Sequence, residues 1–142
     1  MGIFDIFQSK KKKQTVLFID DDQAILNNYK TLFEYNKVLS EKFDFIFASN
    51  KKEFTQLIEQ ADIVFSDYHM PDLKFEQVWI ACENKKPLVA LTGEIRQVWP
   101  GKILPKLMKP GVLPQEIIKM AESGTKAPTY VKKTSTATKK AA

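Results

Sequence analysis

Ile63-Val64-Phe65-Ser66-Asp67-Tyr68-His69-Met70-Pro71-Asp72 is the stretch that decides how this 142-residue chain is read. Residues 62–66 read as a buried parallel strand: β-branched and aromatic, too short for a helix, and closed off by Pro71. In an open α/β sheet, chemistry sits just beyond the carboxyl ends of such strands, and Asp67 stands there. An aspartate at a strand end is commonly a turn former or a helix cap. Its meaning therefore depends on what ends the neighbouring runs.

Three other apolar runs end in polar groups. Val16-Leu17-Phe18-Ile19 leads into Asp20-Asp21-Asp22. Pro87 to Leu91 leads into Thr92-Gly93, and Ile103 to Met108 leads into Lys109-Pro110. An acid cluster, a single acid, a hydroxyl and a lysine, each closing a strand, form a much rarer coincidence than one aspartate.

On these residues the chain, over about residues 15–123, resembles the receiver domain of two-component response regulators. The resemblance implies a doubly wound α/β fold, a five-stranded parallel sheet of order 2-1-3-4-5 (flavodoxin-like). It also implies a stand-alone regulator that accepts a phosphoryl group on Asp67 from a histidine kinase or a histidine phosphotransfer protein. Output would then pass through a downstream protein, since no DNA-binding domain follows residue 123. Such a protein is a phosphoacceptor in a cytoplasmic phosphorelay rather than an enzyme acting on external substrates.

The chemistry fits those residue types. Phosphoryl transfer asks for an in-line nucleophile and for neutralisation of charge on the phosphoryl oxygens. A carboxylate of Asp67 supplies the nucleophile. Three clustered carboxylates repel one another, and a hard divalent cation with oxygen ligands and waters, Mg²⁺, relieves that repulsion. By resemblance, Asp21 and Asp67 ligate directly, Asp20 through water, and the backbone carbonyl of His69 completes the set. Thr92 would hydrogen-bond one phosphoryl oxygen and Lys109 pair another. His69, Gly93, Glu94 and Pro110 would be modulating positions, with the Lys109-Pro110 bond cis as the family has it.

The chain departs from the family in the spacing from Asp67 to Thr92 and from Thr92 to Lys109, both several residues short. The fourth helix, between strands four and five, is therefore expected to be shortened. Lys106 stands where the family usually carries an aromatic switch. A lysine is costly to bury unpaired, so Lys106 is expected to stay exposed. These departures keep a second reading open, a receiver fold used as an interaction or scaffold module. A haloacid-dehalogenase-type phosphatase would use Asp20 as nucleophile and Asp22 as acid/base. Its motif wants Thr or Val where Ala24 stands, and a late acid pair where only Glu116 and Glu122 follow.

Periodicity places the other elements. Ile25, Tyr29, Leu32 and Phe33 mark a helix over 23–36, with Asp22 as its N-cap. Phe43, Phe45 and Phe47 alternate as strand two. Phe54, Leu57, Ile58 and Ala61 mark a helix capped by Ser49 or Asn50, and Phe75, Val78, Trp79 and Cys82 another. Pro105 confines strand five to a sheet edge. Pro114 begins a last helix with Ile117, Ile118 and Ala121 facing inward.

Charge is unevenly spread. The net charge is +5, but the two ends hold nine of the 22 basic residues and one of the 17 acidic, leaving residues 15–123 at −3. That core is no nucleic-acid binder by charge. Residues 1–14, apolar Ile3-Phe4 and Ile6-Phe7 followed by Lys10 to Lys13, suit a weak peripheral contact with an anionic membrane. Ile6 rules out the myristoylation pattern. Residues 124–142, rich in Thr, Ser, Ala and Lys, are expected to be disordered. A single cysteine, Cys82, fits a reducing compartment. No apolar run approaches the roughly 20 residues that span a bilayer, and no secretory signal is present.

Overall fold

The computed structural model describes residues 13–92, 99–106, 108–109 and 111–131. Five parallel strands form one sheet of order β2-β1-β3-β4-β5: β1 (Gln14–Ile19), β2 (Phe43–Ala48), β3 (Ile63–Asp67), β4 (Leu88–Leu91) and β5 (Ile103–Leu104). Helices α1 (Gln23–Glu34), α2 (Lys37–Lys42), α3 (Lys51–Leu57), α4 (Phe75–Cys82) and α5 (Val112–Ser123) flank it. No helix among the described residues is long and apolar enough to cross a membrane.

Strand side chains alternate between the two faces, as the period of two requires. Val16, Phe18, Ile63, Phe65, Val89 and Leu91 pack with α1, α2 and α5 around Tyr29, Phe33 and Ile117. Phe18 is fully buried and stacks on Phe65 at 4.8 Å and 8°. Leu17, Ile19, Val64, Leu88 and Ala90 face the other way, onto Phe54, Phe75, Val78 and Trp79 of α3 and α4.

The helix starts follow local chemistry. Asp22 Oδ1 accepts from the Ala24 N–H, and Asn50 Oδ1 from the Glu53 N–H, each satisfying an orphan donor of the first turn. Asn36 does the same for Leu39 and starts α2, a helix the apolar periodicity does not predict.

Two expectations change at the carboxyl-terminal end. Strand five is two residues long and stops before Pro105, rather than running to Met108. It is an edge strand, as expected, although Pro105 lies just outside it. Residues 124–131, expected to be disordered from composition, instead pack as a strap along α4. Gly124 (φ +61°) turns the chain out of α5 in the left-handed region that glycine enters without strain. The Ala127 N–H then donates to the Lys86 carbonyl, and the Asn84 N–H to the Ala127 carbonyl. Trp79 Nε1 donates to the Pro128 carbonyl at 2.7 Å, and Tyr130 packs edge-on against Trp79. Ala127 and Trp99 are buried against the Leu88 and Ala90 face of β4. Residues 92–102 are all that join β4 to β5. The strap and Trp99 together cover this corner of the sheet.

Candidate phosphoacceptor site

The strand register assembles the site. In β1 and β3, Phe18 lies opposite Phe65 and Ile19 opposite Ser66, which brings Asp20 level with Asp67 one step on. Asp67 in turn pairs Leu91 on its other side, and Leu91 pairs Leu104. The residues that follow those strands, Thr92 and Lys106, therefore emerge on the same edge of the sheet.

Asp20 and Asp67 are buried, with 0% and 2% of their surface exposed, while Asp21 is open to solvent. One carboxylate oxygen from each of the three lies within 4.8 Å of the others. Backbone donors hold the first oxygens: the Asp22 N–H donates to Asp20 Oδ1 at 2.9 Å and the His69 N–H to Asp67 Oδ1 at 3.1 Å. The second oxygens converge on a lysine. Lys106 Nζ is 3.1 Å from Asp67 Oδ2 and 3.4 Å from Asp20 Oδ2. These are charge contacts, since neither Oδ2 has an aligned hydrogen bond among the described residues.

Electrostatics follow from the burial. Loss of hydration pushes both carboxyls above their ordinary range, against the pull of the backbone donors and Lys106. Lys106 also loses hydration, but the two facing carboxylates outweigh that and raise its affinity for a proton. The site is therefore a buried, proton-hungry pair of acids bridged by one ammonium.

That ammonium is not the one the sequence singled out. Lys109, chosen for its Lys-Pro dipeptide, is exposed beside a small cavity over α1 and α5. The ion pairs to Asp20 and Asp67 come, among the described residues, from Lys106 alone. Lys106 is also not the exposed side chain expected, being only 28% accessible. Pairing to two carboxylates is what offsets its desolvation. The cause is the short β5: ending the strand at Leu104 places residue 106, not 109, just past the sheet edge.

The remaining candidates divide. Thr92 is buried beyond β4, and its N–H donates to the Leu104 carbonyl. The His69 side chain is exposed at the site edge. Asp22 caps α1, so its carboxylate serves the helix rather than the site. Gly93, Glu94 and Pro110, with the Lys109-Pro110 bond, lie outside the described residues. Cys82 is buried core, its thiol pushed up to about 12 by burial, and is no reactive group.

The donor set suits a hard divalent cation. Two buried carboxylate oxygens without aligned donors and a third, exposed carboxylate within 4.8 Å are oxygen ligands with one side open to water.

The chain superposes on a CheY-like response regulator receiver domain from Methanospirillum hungatei with a TM-score of 0.64 and 19% identity, covering 80% of this chain and 97% of that one. The signal receiver domain of an HD domain-containing protein from Pseudomonas fluorescens gives 0.66 and 16%, covering 80% and 98%. A response regulator receiver domain from Clostridium thermocellum gives 0.59 and 22%, covering 78% and 95%. The fold is that of response-regulator receiver domains. No family model matches the chain, and no curated protein is similar to it in sequence. The receiver architecture here is carried by structure at sequence identities too low to show more than the fold.

Proposed function

We propose that this receiver domain is a phosphoacceptor, taking a phosphoryl group onto Asp67 from a phosphohistidine of a kinase or phosphotransfer protein. The observation that carries the reading is the buried Asp67 carboxylate at the end of the central strand, bridged by Lys106 and grouped with Asp20 and Asp21. In the transfer, an Asp67 carboxylate oxygen attacks phosphorus. The P–N bond to the donor imidazole breaks, its electron pair returning to the ring nitrogen, and an acyl phosphate remains. Burial keeps water from competing for the nucleophile. Lys106 Nζ, already 3.1 Å from Asp67 Oδ2, is positioned to pair a phosphoryl oxygen, the role first assigned to Lys109. The Thr92 hydroxyl would take another.

Asp20, Asp21, Asp67 and the His69 carbonyl would hold Mg²⁺. When bound, the cation supplies charge neutralisation for the carboxylates and the incoming phosphoryl oxygens. No turnover of external phosphate esters is expected beyond hydrolysis of the chain's own acyl phosphate. Asp22, spent on the α1 cap, does not offer the acid/base that a phosphatase of the haloacid dehalogenase type would need.

The test is incubation with acetyl phosphate and Mg²⁺. One acid-stable, base-labile phosphoryl group is expected on the wild type and none on Asp67→Asn. Label persisting in that variant would overturn the assignment. The interaction-module reading has one observation in its favour: Lys106 already pairs both Oδ2 atoms without a phosphoryl group. It predicts a wild type that stays unlabelled.

A further inference from the structure

The position of Lys106 is not set by the sheet. The β4–β5 ladder closes with the Thr92 N–H donating to the Leu104 carbonyl at 3.0 Å. Pro105 then offers no N–H, and Lys106 lies two residues past the end of a two-residue strand. Packing does not fix it either, because a cavity of about 250 Å³ lies against this segment, lined by Asn28, Leu32, Met108 and Leu113. Among the described residues, one side-chain hydrogen bond does reach its backbone. Tyr29 Oη, on α1, donates to the Lys106 carbonyl at 2.7 Å.

Tyr29 is itself held firmly. It is buried, its ring lies 4.9 Å from Phe18 and 6.2 Å from Phe33, and Phe18 stacks on the central Phe65. A phenol has two side-chain torsions, both fixed by this packing, so its hydroxyl is a rigid post anchored in the core. Burial, then the charges of Asp20 and Asp67, push its pKa well above the ordinary phenol range, so it remains a donor.

We infer that Tyr29 is the positioning residue for Lys106: its hydroxyl grips the backbone of residue 106 so that Nζ reaches Asp67 and Asp20. The Tyr29 hydroxyl donates to the Lys106 carbonyl and not to either carboxylate. It acts only through the lysine, replacing the strand pairing and packing that this short edge lacks. The kinetic consequence rests on the phosphoacceptor reading; the geometric one does not.

Tyr29→Phe removes one oxygen and keeps the ring, so the core around Phe18 is preserved. Two measurements on the full chain separate the claims. The first is acetylation of lysines by a water-soluble N-hydroxysuccinimide ester, followed by peptide mass spectrometry. Lys109, exposed and three residues away, is the internal reference. Lys106 should react roughly three- to tenfold faster in Tyr29→Phe, the population change expected for one lost hydrogen bond, with Lys109 unchanged. Equal Lys106 reactivity in the two proteins overturns the inference.

The second measurement is the rate of phosphorylation by acetyl phosphate. Tyr29→Phe should slow it by roughly three- to tenfold. In a Lys106→Ala background the same substitution should change nothing, which a general structural effect would not reproduce. An equal further loss in that background also overturns the inference. A wild type that takes no label, with the acetylation result as expected, removes the phosphoacceptor reading and leaves Tyr29 as the residue that places Lys106.

Discussion

Replacing Lys106 by Met keeps the apolar stem and deletes the charge that bridges two buried acids. Removing one partner of a buried ion pair costs about 3–5 kcal/mol, because the other is left uncompensated. Lys106 is 28% exposed, so water already screens part of the interaction. Discounted for that, about 2–3 kcal/mol of stability should be lost near neutral pH without divalent metal. The loss should depend on pH, and the sign follows from the carboxyls. Burial holds Asp20 and Asp67 above their ordinary range in the folded state. Between the unfolded value and that raised value, the native state binds more protons than the unfolded state. Stability therefore falls as pH rises through this window and levels off above it. Lys106 is one of the groups opposing the rise, so its removal stretches the window upward. Urea unfolding of wild type and Lys106→Met in chelator, near pH 5 and near pH 8, should show a gap that widens with pH. Added Mg²⁺ should narrow it, since a cation on the same oxygens substitutes for the ammonium. A gap that is equal at both pH values, or below about 0.5 kcal/mol at both, would refute the electrostatic role of Lys106.

Asp21 is exposed, so Asp21→Ala should weaken Mg²⁺ binding strongly in titration calorimetry while leaving the melting temperature unchanged or higher. Asp22→Ala should do the reverse, costing about 1 kcal/mol through the lost α1 cap with Mg²⁺ affinity intact. Tyr130→Ala strips the ring from Trp79 and should cost about 1–2 kcal/mol in chemical denaturation, which a disordered tail would not show. Co-sedimentation with anionic liposomes should be stronger for the full chain than for residues 15–142 and weaken steeply with salt, about 1 kcal/mol per lysine being available near the surface. Equal sedimentation of the two would dismiss the membrane contact.

Much of this architecture was legible in the residues. Val16 to Ile19, Ile63 to Ser66 and Leu88 to Leu91 are apolar runs too short to be helices, and each became a buried strand. Parallel strands buried on both faces carry their signal in composition alone, so the sheet was readable without knowing its order. Asp20 and Asp67 were legible for the same reason, as charges ending runs that could not tolerate them inside. The lysine was not. Lys109-Pro110 has the expected dipeptide, whereas Lys106 declares itself only once β5 is seen to stop at Leu104. The short spacing from Thr92 was the available hint. The strap was missed because it was read together with the Thr-, Ser- and Lys-rich residues that follow it, while its docking depends on backbone bonds at Asn84 and Lys86 that composition does not report. Helix α2 was missed because it buries only Leu39; the Asn36 cap was its signal.

The strap also gives the chain an order of assembly. All the described strands and helices precede it, so a nascent chain emerging from its amino-terminal end can form the sheet, the carboxylates and Lys106 before residue 124 is made. Until Ala127 and Tyr130 arrive, the Trp79 and Leu88 corner lacks the part of its cover that the strap supplies. Exposed apolar surface at that stage is what chaperones hold and what aggregation consumes. A ribosome that stops early near Gly124 would thus release a protein with its chemistry complete and its surface unfinished. Loss of these last described residues should first appear as poor solubility, with the acid site still intact.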